Sequence, residues 1–156
     1  MSRVSPVTFT GNVTHKPDAK SRVSVPANWR AAHGAVLSLI AAHREHYPVV
    51  KCYTQAGFEE LLTDIREQAA TRGATPGQIN DYIGAIAGSS FEAEVSTQGK
   101  LLIPKAQRER LRLTDSVVLV GRGAYFELWA PADYAAVHSP EKLAANELDK
   151  LFNILS

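Results

Sequence analysis

Hydrophobic and polar positions alternate with a period of two in several stretches, which is typical of strands packed on one face. In residues 22–25 this pattern places Val23 and Val25 on one face, and Arg22 and Ser24 on the other. Similar β-prone runs predict seven further strands, at residues 9–15, 36–40, 47–53, 91–95, 100–103, 117–121 and 125–129. Residues 41–46 are expected to link the third and fourth strands in chain order.

Helical spacing replaces this alternation in the middle and at the end of the chain. A long helix is predicted over 57–72, and a second follows Thr75 as N-cap and Pro76 as first helical residue. Shorter helices are predicted at 27–32, 105–111 and 131–137, with a closing helix over 139–155. Three of these helices carry an apolar stripe, which can face the chain's own core or a neighbouring subunit, and the sequence leaves both alternatives open. The stripes are Phe58, Leu61, Leu62 and Ile65; Ile79, Tyr82, Ile83 and Ile86; and Leu148, Leu151, Phe152 and Leu155.

One stretch of the chain occurs twice. Residues 96–104 repeat the pattern of residues 18–26 at a spacing of 78 positions. Each copy has a turn-prone tetrapeptide, a cation at its fifth position (Arg22 or Lys100), three β-prone positions and a proline. We expect a duplicated α+β chain, rich in β-strand, whose halves pair around a pseudo-two-fold axis.

The predicted organisation has five segments: a flexible lead-in at 1–8, a first repeat at 9–72, a linking helix at 73–89, a second repeat at 90–138 and a C-terminal helix at 139–156.

Composition sets limits on the function. The chain has 156 residues, of which 45% are hydrophobic and 21% charged, and its formal net charge is +1, so a nucleic-acid surface would need locally placed cations. The single cysteine, Cys52, excludes an internal disulfide framework, and the sequence predicts a cytoplasmic protein without a membrane span or a signal peptide. We expect no enzyme activity, cofactor, metal or small-molecule substrate, because no catalytic motif appears and His43, His46 and Cys52 form only a weak metal-binding set.

The candidate binding surface is a strip of basic residues at the repeated turn. Its predicted members are Lys20, Arg22 and Lys100, with Lys16 and Arg3 nearby. Two strands can enter the major groove of DNA, where Arg or Lys reaches phosphates or guanine edges. The alternative is that these cations are ordinary solvated turn residues. Their repetition at a fixed spacing favours nucleic acid.

These residues resemble the MraZ family of bacterial transcriptional regulators. The first copy matches in Phe9-x-Gly11 and in the spaced residues Asp18, Lys20, Arg22, Ser24 and Pro26; the second matches in residues 98–104 and 126–129 (Phe-Glu-Leu-Trp). The resemblance implies two swapped-hairpin units of the SpoVT/AbrB type around a pseudo-two-fold, barrel-like core with flanking helices. It also implies a nucleoid-associated repressor of the division and cell-wall gene cluster, including its own operon. Such a repressor binds short direct repeats in double-stranded DNA as a ring-shaped homo-oligomer.

The resemblance also indicates how the two turns differ. The family's Asp-x-x-x-Arg motif falls on Asp18 and Arg22 in the first copy, but on Ser96 and Lys100 in the second. Asp18, Ser96 and Gly99 are expected to organise the turns, and Ser21 replaces the glycine that the second copy keeps. Because lysine lacks the planar fork of arginine, the first copy is expected to read more of the sequence. The alternative function is an oligomeric structural or interaction protein that has lost specific DNA binding.

Overall fold

The computed structural model describes residues 8–29 and 36–145. In these residues the strands are β1 (Asn12–His15), β2 (Arg22–Ser24), β3 (Val36–Arg44), β4 (Tyr47–Thr54), β5 (Phe91–Glu94), β6 (Lys100–Leu102), β7 (Val117–Gly121) and β8 (Phe126–Trp129). The helices are α1 (Gln55–Thr71), α2 (Pro76–Ser89), α3 (Lys105–Leu111), α4 (Pro131–Val137) and α5 (Pro140–Ala144). Residues 27–29 are also helical.

The strands form two antiparallel sheets. The larger sheet has six strands in the order β1-β7-β8-β4-β3-β5, while β2 and β6 pair separately as a ribbon. The expected α+β class is confirmed, but the expected barrel-like core is wrong, because β1 and β5 are edge strands and the large sheet does not close on itself. The β2–β6 ribbon does not bridge these two edges: it is a separate two-stranded sheet, and the isolated bridge between Val95 and Leu101 links it to the β5 side.

Strands from the two halves of the sequence interleave in both sheets. In the large sheet β1 pairs with β7, β5 pairs with β3, and β4 meets β8 at the centre. In the β2–β6 ribbon Val23 faces Leu101, two residues that are 78 positions apart. Each half therefore supplies an edge strand to the other half's part of the sheet. The predicted segment boundaries stay a prediction.

The main core lies between the large sheet and the β2–β6 ribbon. Val23 and Leu101 of the ribbon contribute to the same buried cluster as Leu39 and Leu128 of the large sheet. Alternate residues of the sheet strands point to its other face, where Val118 and Trp129 pack with residues of α4. The ribbon and α4 therefore cover opposite faces of the large sheet.

The α1–α2 hairpin lies on the same face as α4. Ser38, which alternates with the core residues Leu37 and Leu39, lines a cavity together with Phe58 of α1 and Ala87 of α2. The apolar stripes of this hairpin are largely half-buried: α1 has no fully buried residue, and α2 has only Ile83. None of the described helices has both the length and the apolar character that a membrane crossing requires.

Several local expectations are confirmed. Thr75 caps α2 in a reciprocal arrangement, its hydroxyl accepting from the Gln78 backbone N–H while the Gln78 side chain accepts from the Thr75 backbone N–H. Helices α3 and α4 and strand β7 have the predicted bounds. Tyr53 and Trp129 are buried, as expected of core aromatic residues.

One expected link is wrong, and one expected helix is covered only in part. Residues 41–44 belong to strand β3, because all of them pair with β4, and the actual link is a two-residue turn in which Glu45 adopts φ +55°. The closing helix predicted over 139–155 begins as expected, since α5 covers Pro140–Ala144. All four residues of its predicted stripe, Leu148, Leu151, Phe152 and Leu155, lie outside the described residues, so that part stays a prediction.

Candidate nucleic-acid interface

The first turn is organised by the Asp18 carboxylate. One oxygen, Oδ1, accepts the backbone N–H groups of Lys20 and Arg22, each at 2.9 Å, while Oδ2 accepts the Arg22 Nε–H at 3.0 Å. The backbone N–H of Arg22 is the largest cause of a lowered pKa at Asp18, with the Lys20 N–H and the Arg22 guanidinium adding to it. The carboxylate therefore stays ionised and fixes the direction of the Arg22 side chain.

The second turn repeats this backbone geometry with a neutral acceptor. In the first turn the Asp18 N–H donates to the Arg22 carbonyl, and in the second the Ser96 N–H donates to the Lys100 carbonyl, both at 2.9 Å. The Ser96 hydroxyl accepts the Lys100 N–H at 3.1 Å, which is the position that Asp18 Oδ1 occupies for Arg22. The repeated sequence thus forms two turns with the same main-chain hydrogen bonds.

Both turns need a residue with positive φ before the cation. Gly99 supplies it at φ +77°, and Ser21 adopts φ +62° at the matching place in the first turn. This conformation costs an L-residue with a side chain about 1–2 kcal/mol, whereas glycine adopts it freely. The first turn therefore carries local strain that the second lacks.

The β2–β6 ribbon brings the two turns together. The Val25 N–H donates to the Gly99 carbonyl at 2.9 Å, and the Ile103 N–H donates to the Ser21 carbonyl at 3.1 Å. These two bonds are related by the 78-residue spacing, so each turn is fastened to the opposite strand in the same way. As a result, both cations, Arg22 and Lys100, project from one partly exposed ribbon.

The two cations are held differently. The Arg22 guanidinium is bound to Asp18 within its own turn, and about a third of each side chain is exposed. The Lys100 ammonium instead donates across the ribbon to the Ser24 hydroxyl. The exposed Arg22–Asp18 ion pair adds little stability, so its main effect is to orient the Arg22 guanidinium.

Leu102 is a ribbon residue that the sequence analysis did not single out. It is 49% exposed and lies directly opposite Arg22 across the ribbon. The alternation of β6 carried the signal, since Leu101 and Ile103 point inward and Leu102 must then point outward. Its register against Arg22 depends on a pairing between distant parts of the chain.

A shallow cavity of about 390 Å³ lies beside the ribbon. Arg22 and Lys100 line it together with Leu102 and two carboxylates of β5, Glu92 and Glu94. The cavity thus has cations on the ribbon side and carboxylates on the side of the edge strand.

Two of the other predicted cations, Lys16 and Lys20, do not line this cavity. Lys16 is highly exposed and forms an ion pair with Asp115 at 3.6 Å, and Lys20 is exposed in the first turn. Arg3 lies outside the described residues. Among the described cations of the predicted strip, the structure therefore brings Arg22 and Lys100 together, whereas Lys16 and Lys20 do not share their cavity.

The weak metal-binding set is not assembled. His43 is exposed on β3, and the His46 ring packs against the Tyr47 ring at a tilt of 31°. Cys52 is buried, and burial raises its thiol pKa well above the usual value. Across residues 8–29 and 36–145, no group of three or more His, Cys, Asp or Glu side chains is placed to share a metal ion.

The arrangement defines an α+β protein that presents two matched turns and two cations on one ribbon. Residues 86–151 match the family model described as "MraZ protein, putative antitoxin-like". A protein of Ruegeria pomeroyi named "Transcriptional regulator MraZ" is 31% identical over 92% of this chain and 88% of its own length. Proteins of the same name from Gluconacetobacter diazotrophicus and Rhizobium meliloti are 28% and 29% identical, over 80% and 81% of this chain and 79% and 86% of their own lengths.

The chain belongs to the MraZ family, whose members named above are transcriptional regulators. The resemblance noted in the sequence is therefore confirmed, and the class is not one of enzymes.

Proposed function

We propose that this protein is a sequence-specific DNA-binding repressor that uses the β2–β6 ribbon to read the major groove. The observation that carries the proposal is the pair of matched turns, which direct Arg22 and Lys100 from one ribbon. A two-stranded ribbon fits the width of the major groove, and arginine is the commonest partner of guanine there. The names of the family relatives support DNA as the partner.

The targets that we propose are short direct repeats upstream of the protein's own operon, within the division and cell-wall gene cluster. One ribbon offers few cations, so the affinity of a single chain is modest. A ring-shaped homo-oligomer would place several ribbons on spaced repeats and gain avidity from that spacing. The half-buried apolar stripes of the α1–α2 hairpin, on the face opposite the ribbon, support contact between copies there. Swapped-hairpin units and a nucleoid location belong to the same proposal.

The two cations have different proposed roles. Arg22 is oriented by Asp18 and retains a planar fork, which suits a bidentate contact with guanine. Lys100 is a point charge beside Ser24, which suits a phosphate. The first turn would then carry most of the sequence discrimination.

Fluorescence-anisotropy titrations test this assignment. The probes are duplex DNA from the upstream region and a scrambled duplex of the same composition, at two salt concentrations. Arg22→Ala is expected to weaken binding to the upstream DNA about tenfold or more and to reduce discrimination, as loss of a bidentate base contact does. Lys100→Ala is expected to weaken binding to both duplexes alike and to lower the salt dependence.

Arg66→Ala is the matched control, since Arg66 is an exposed cation on α1. Equal affinity of the unmodified protein for both duplexes would overturn the proposed function. Equal loss of discrimination in Arg22→Ala and Lys100→Ala would overturn only the division of roles.

A further inference from the structure

Leu102 places an apolar side chain where the proposed function requires base recognition. It is half-exposed at one end of the ribbon, directly opposite Arg22, although its neighbours Leu101 and Ile103 are fully buried. In the first copy the matching position holds Ser24, whose hydroxyl is engaged by the Lys100 ammonium. The two ends of the ribbon therefore differ: one pairs arginine with leucine, and the other pairs lysine with serine.

Arg22 next to Leu102 is held in one orientation. Its Nε–H donates to Asp18 Oδ2, so this bond does not use the terminal nitrogens of the guanidinium. Those nitrogens can form the bidentate contact that arginine makes with guanine O6 and N7. Because Leu102 lies across from Arg22, a base pair next to that guanine comes within reach of the leucine side chain.

The charges around Leu102 give a phosphate no net attraction at this place. Glu92 and Glu94 of β5 line the same cavity as Leu102, and both are exposed, so they balance the positive charges of Arg22 and Lys100. Leu102 itself offers a phosphate no hydrogen bond, so the group that we expect to approach it is a base edge. In the major groove the apolar feature of a base edge is the C5-methyl group of thymine.

We propose that Leu102 is a specificity-determining residue that packs on the C5-methyl group of a thymine beside the guanine read by Arg22. The assignment rests on the proposed function and makes it more specific: the two ends of the ribbon read different chemistry. The Arg22–Leu102 end reads a guanine with an adjacent thymine, while the Lys100–Ser24 end contacts the backbone. The ribbon thereby gains a direction along the DNA despite its pseudo-symmetric fold.

Thymine-to-uracil replacement tests the contact, because it removes the methyl group and leaves base pairing unchanged. Each thymine of the upstream duplex is replaced singly, and affinities are measured by anisotropy for the unmodified protein and for Leu102→Ser, which carries the residue of the other copy. The unmodified protein is expected to lose roughly three- to tenfold in affinity at one thymine position of each bound repeat. Leu102→Ser is expected to bind the thymine duplex more weakly by a similar factor and to be insensitive to the same replacement.

A far-ultraviolet circular dichroism spectrum and light scattering accompany each variant. The proposal is wrong if no single replacement weakens the unmodified protein while it still prefers the upstream duplex to a scrambled one; the proposed function would survive that result. It is also wrong if Leu102→Ser keeps the full sensitivity to uracil. A changed assembly mass in that case would make Leu102 a subunit contact. Equal affinity of the unmodified protein for the upstream and the scrambled duplex would overturn both this proposal and the proposed function.

Discussion

The residue before each cation determines how much strain its turn carries. Ser21 and Gly99 occupy matching positions with φ values of +62° and +77°, and each accepts a hydrogen bond from the opposite strand through its carbonyl. The second turn places glycine at this position of positive φ, and the first turn places a residue that has a side chain there. Sequence alone identified the exchange of glycine for serine, and the backbone geometry gives it an energetic meaning.

Ser21→Gly is expected to stabilise the protein by about 0.5–1 kcal/mol. The substitution removes a left-handed penalty of about 1–2 kcal/mol, and the larger entropy of glycine in the unfolded chain returns part of that gain. The measurement is the free energy of unfolding in urea. The reciprocal change, Gly99→Ser, is expected to destabilise, and a shift of both variants in the same direction would contradict this account.

At the scale of elements, the segment before β1 can approach β7 only because Gly121, the last residue of β7, has no side chain. A Cβ atom built on Gly121 would lie 2.5 Å from the Phe9 carbonyl oxygen and 2.7 Å from the Thr10 nitrogen, and both atoms belong to the backbone. The same segment holds paired hydrogen bonds between Phe9 and Gly123, at 2.7 and 2.9 Å. A side chain at Gly121 must therefore push the first strand segment away from the sheet.

Gly121→Ala is expected to cost about 1–3 kcal/mol of unfolding free energy, the usual range for forcing extra volume into a packed site. Urea denaturation followed by far-ultraviolet circular dichroism measures it. The control is Gly84→Ala, in the interior of α2, where an added Cβ meets nothing within 4 Å and the change should stabilise by about 0.5–1 kcal/mol. Equal stabilities of the two variants would show that the close approach at Gly121 is not what limits the sheet.

Elements fixed by local chemistry were predictable from the sequence, and those fixed by distant partners were less so. The cap of α2 follows from Thr75, Pro76 and Gln78, which all act within one turn. The full length of β3 could not be predicted, because residues 41–44 are strand only through their pairing with β4. An Ala-Ala-His-Arg run has no strong strand preference of its own.

The same distinction applies to the candidate site. Asp18, Arg22, Ser96, Gly99 and Lys100 were predictable, because the repetition of the turn marks them. The place of Leu102 beside Arg22 was not, because it depends on the antiparallel register of two strands from different halves of the chain. Nor could the sequence predict that Lys16 pairs with Asp115.

At the scale of the whole molecule, the interleaved strands couple the two halves. Strand β1 is part of the second half's edge, and β5 is part of the first half's edge. The main core mixes residues of both: Trp29 of the first half packs on Phe126 of the second, with ring centroids 5.0 Å apart. Neither half can lose its fold without exposing apolar surface of the other, so the described part of the chain should unfold in one cooperative step.

The two tryptophans, the only ones in the chain, allow this coupling to be measured. Trp29 packs in the main core against Phe9 and Phe126, while Trp129 lies on the other face of the sheet between Tyr134 and His138. Single-tryptophan variants, Trp29→Phe and Trp129→Phe, leave one fluorescent probe in each place. In each variant the urea midpoint from fluorescence is expected to coincide with the midpoint from far-ultraviolet circular dichroism, because one transition moves both signals.

Comparison of two signals within one variant makes the test independent of any stability that the Trp→Phe change itself removes. Independent halves would instead give a fluorescence midpoint that departs from the circular dichroism midpoint, in opposite directions for the two variants. The slope of unfolding free energy against urea adds a second criterion, since it scales with the surface exposed in the transition. Coupled halves require each fluorescence slope to equal the slope for the whole chain, whereas a half that unfolds alone would give a clearly smaller one.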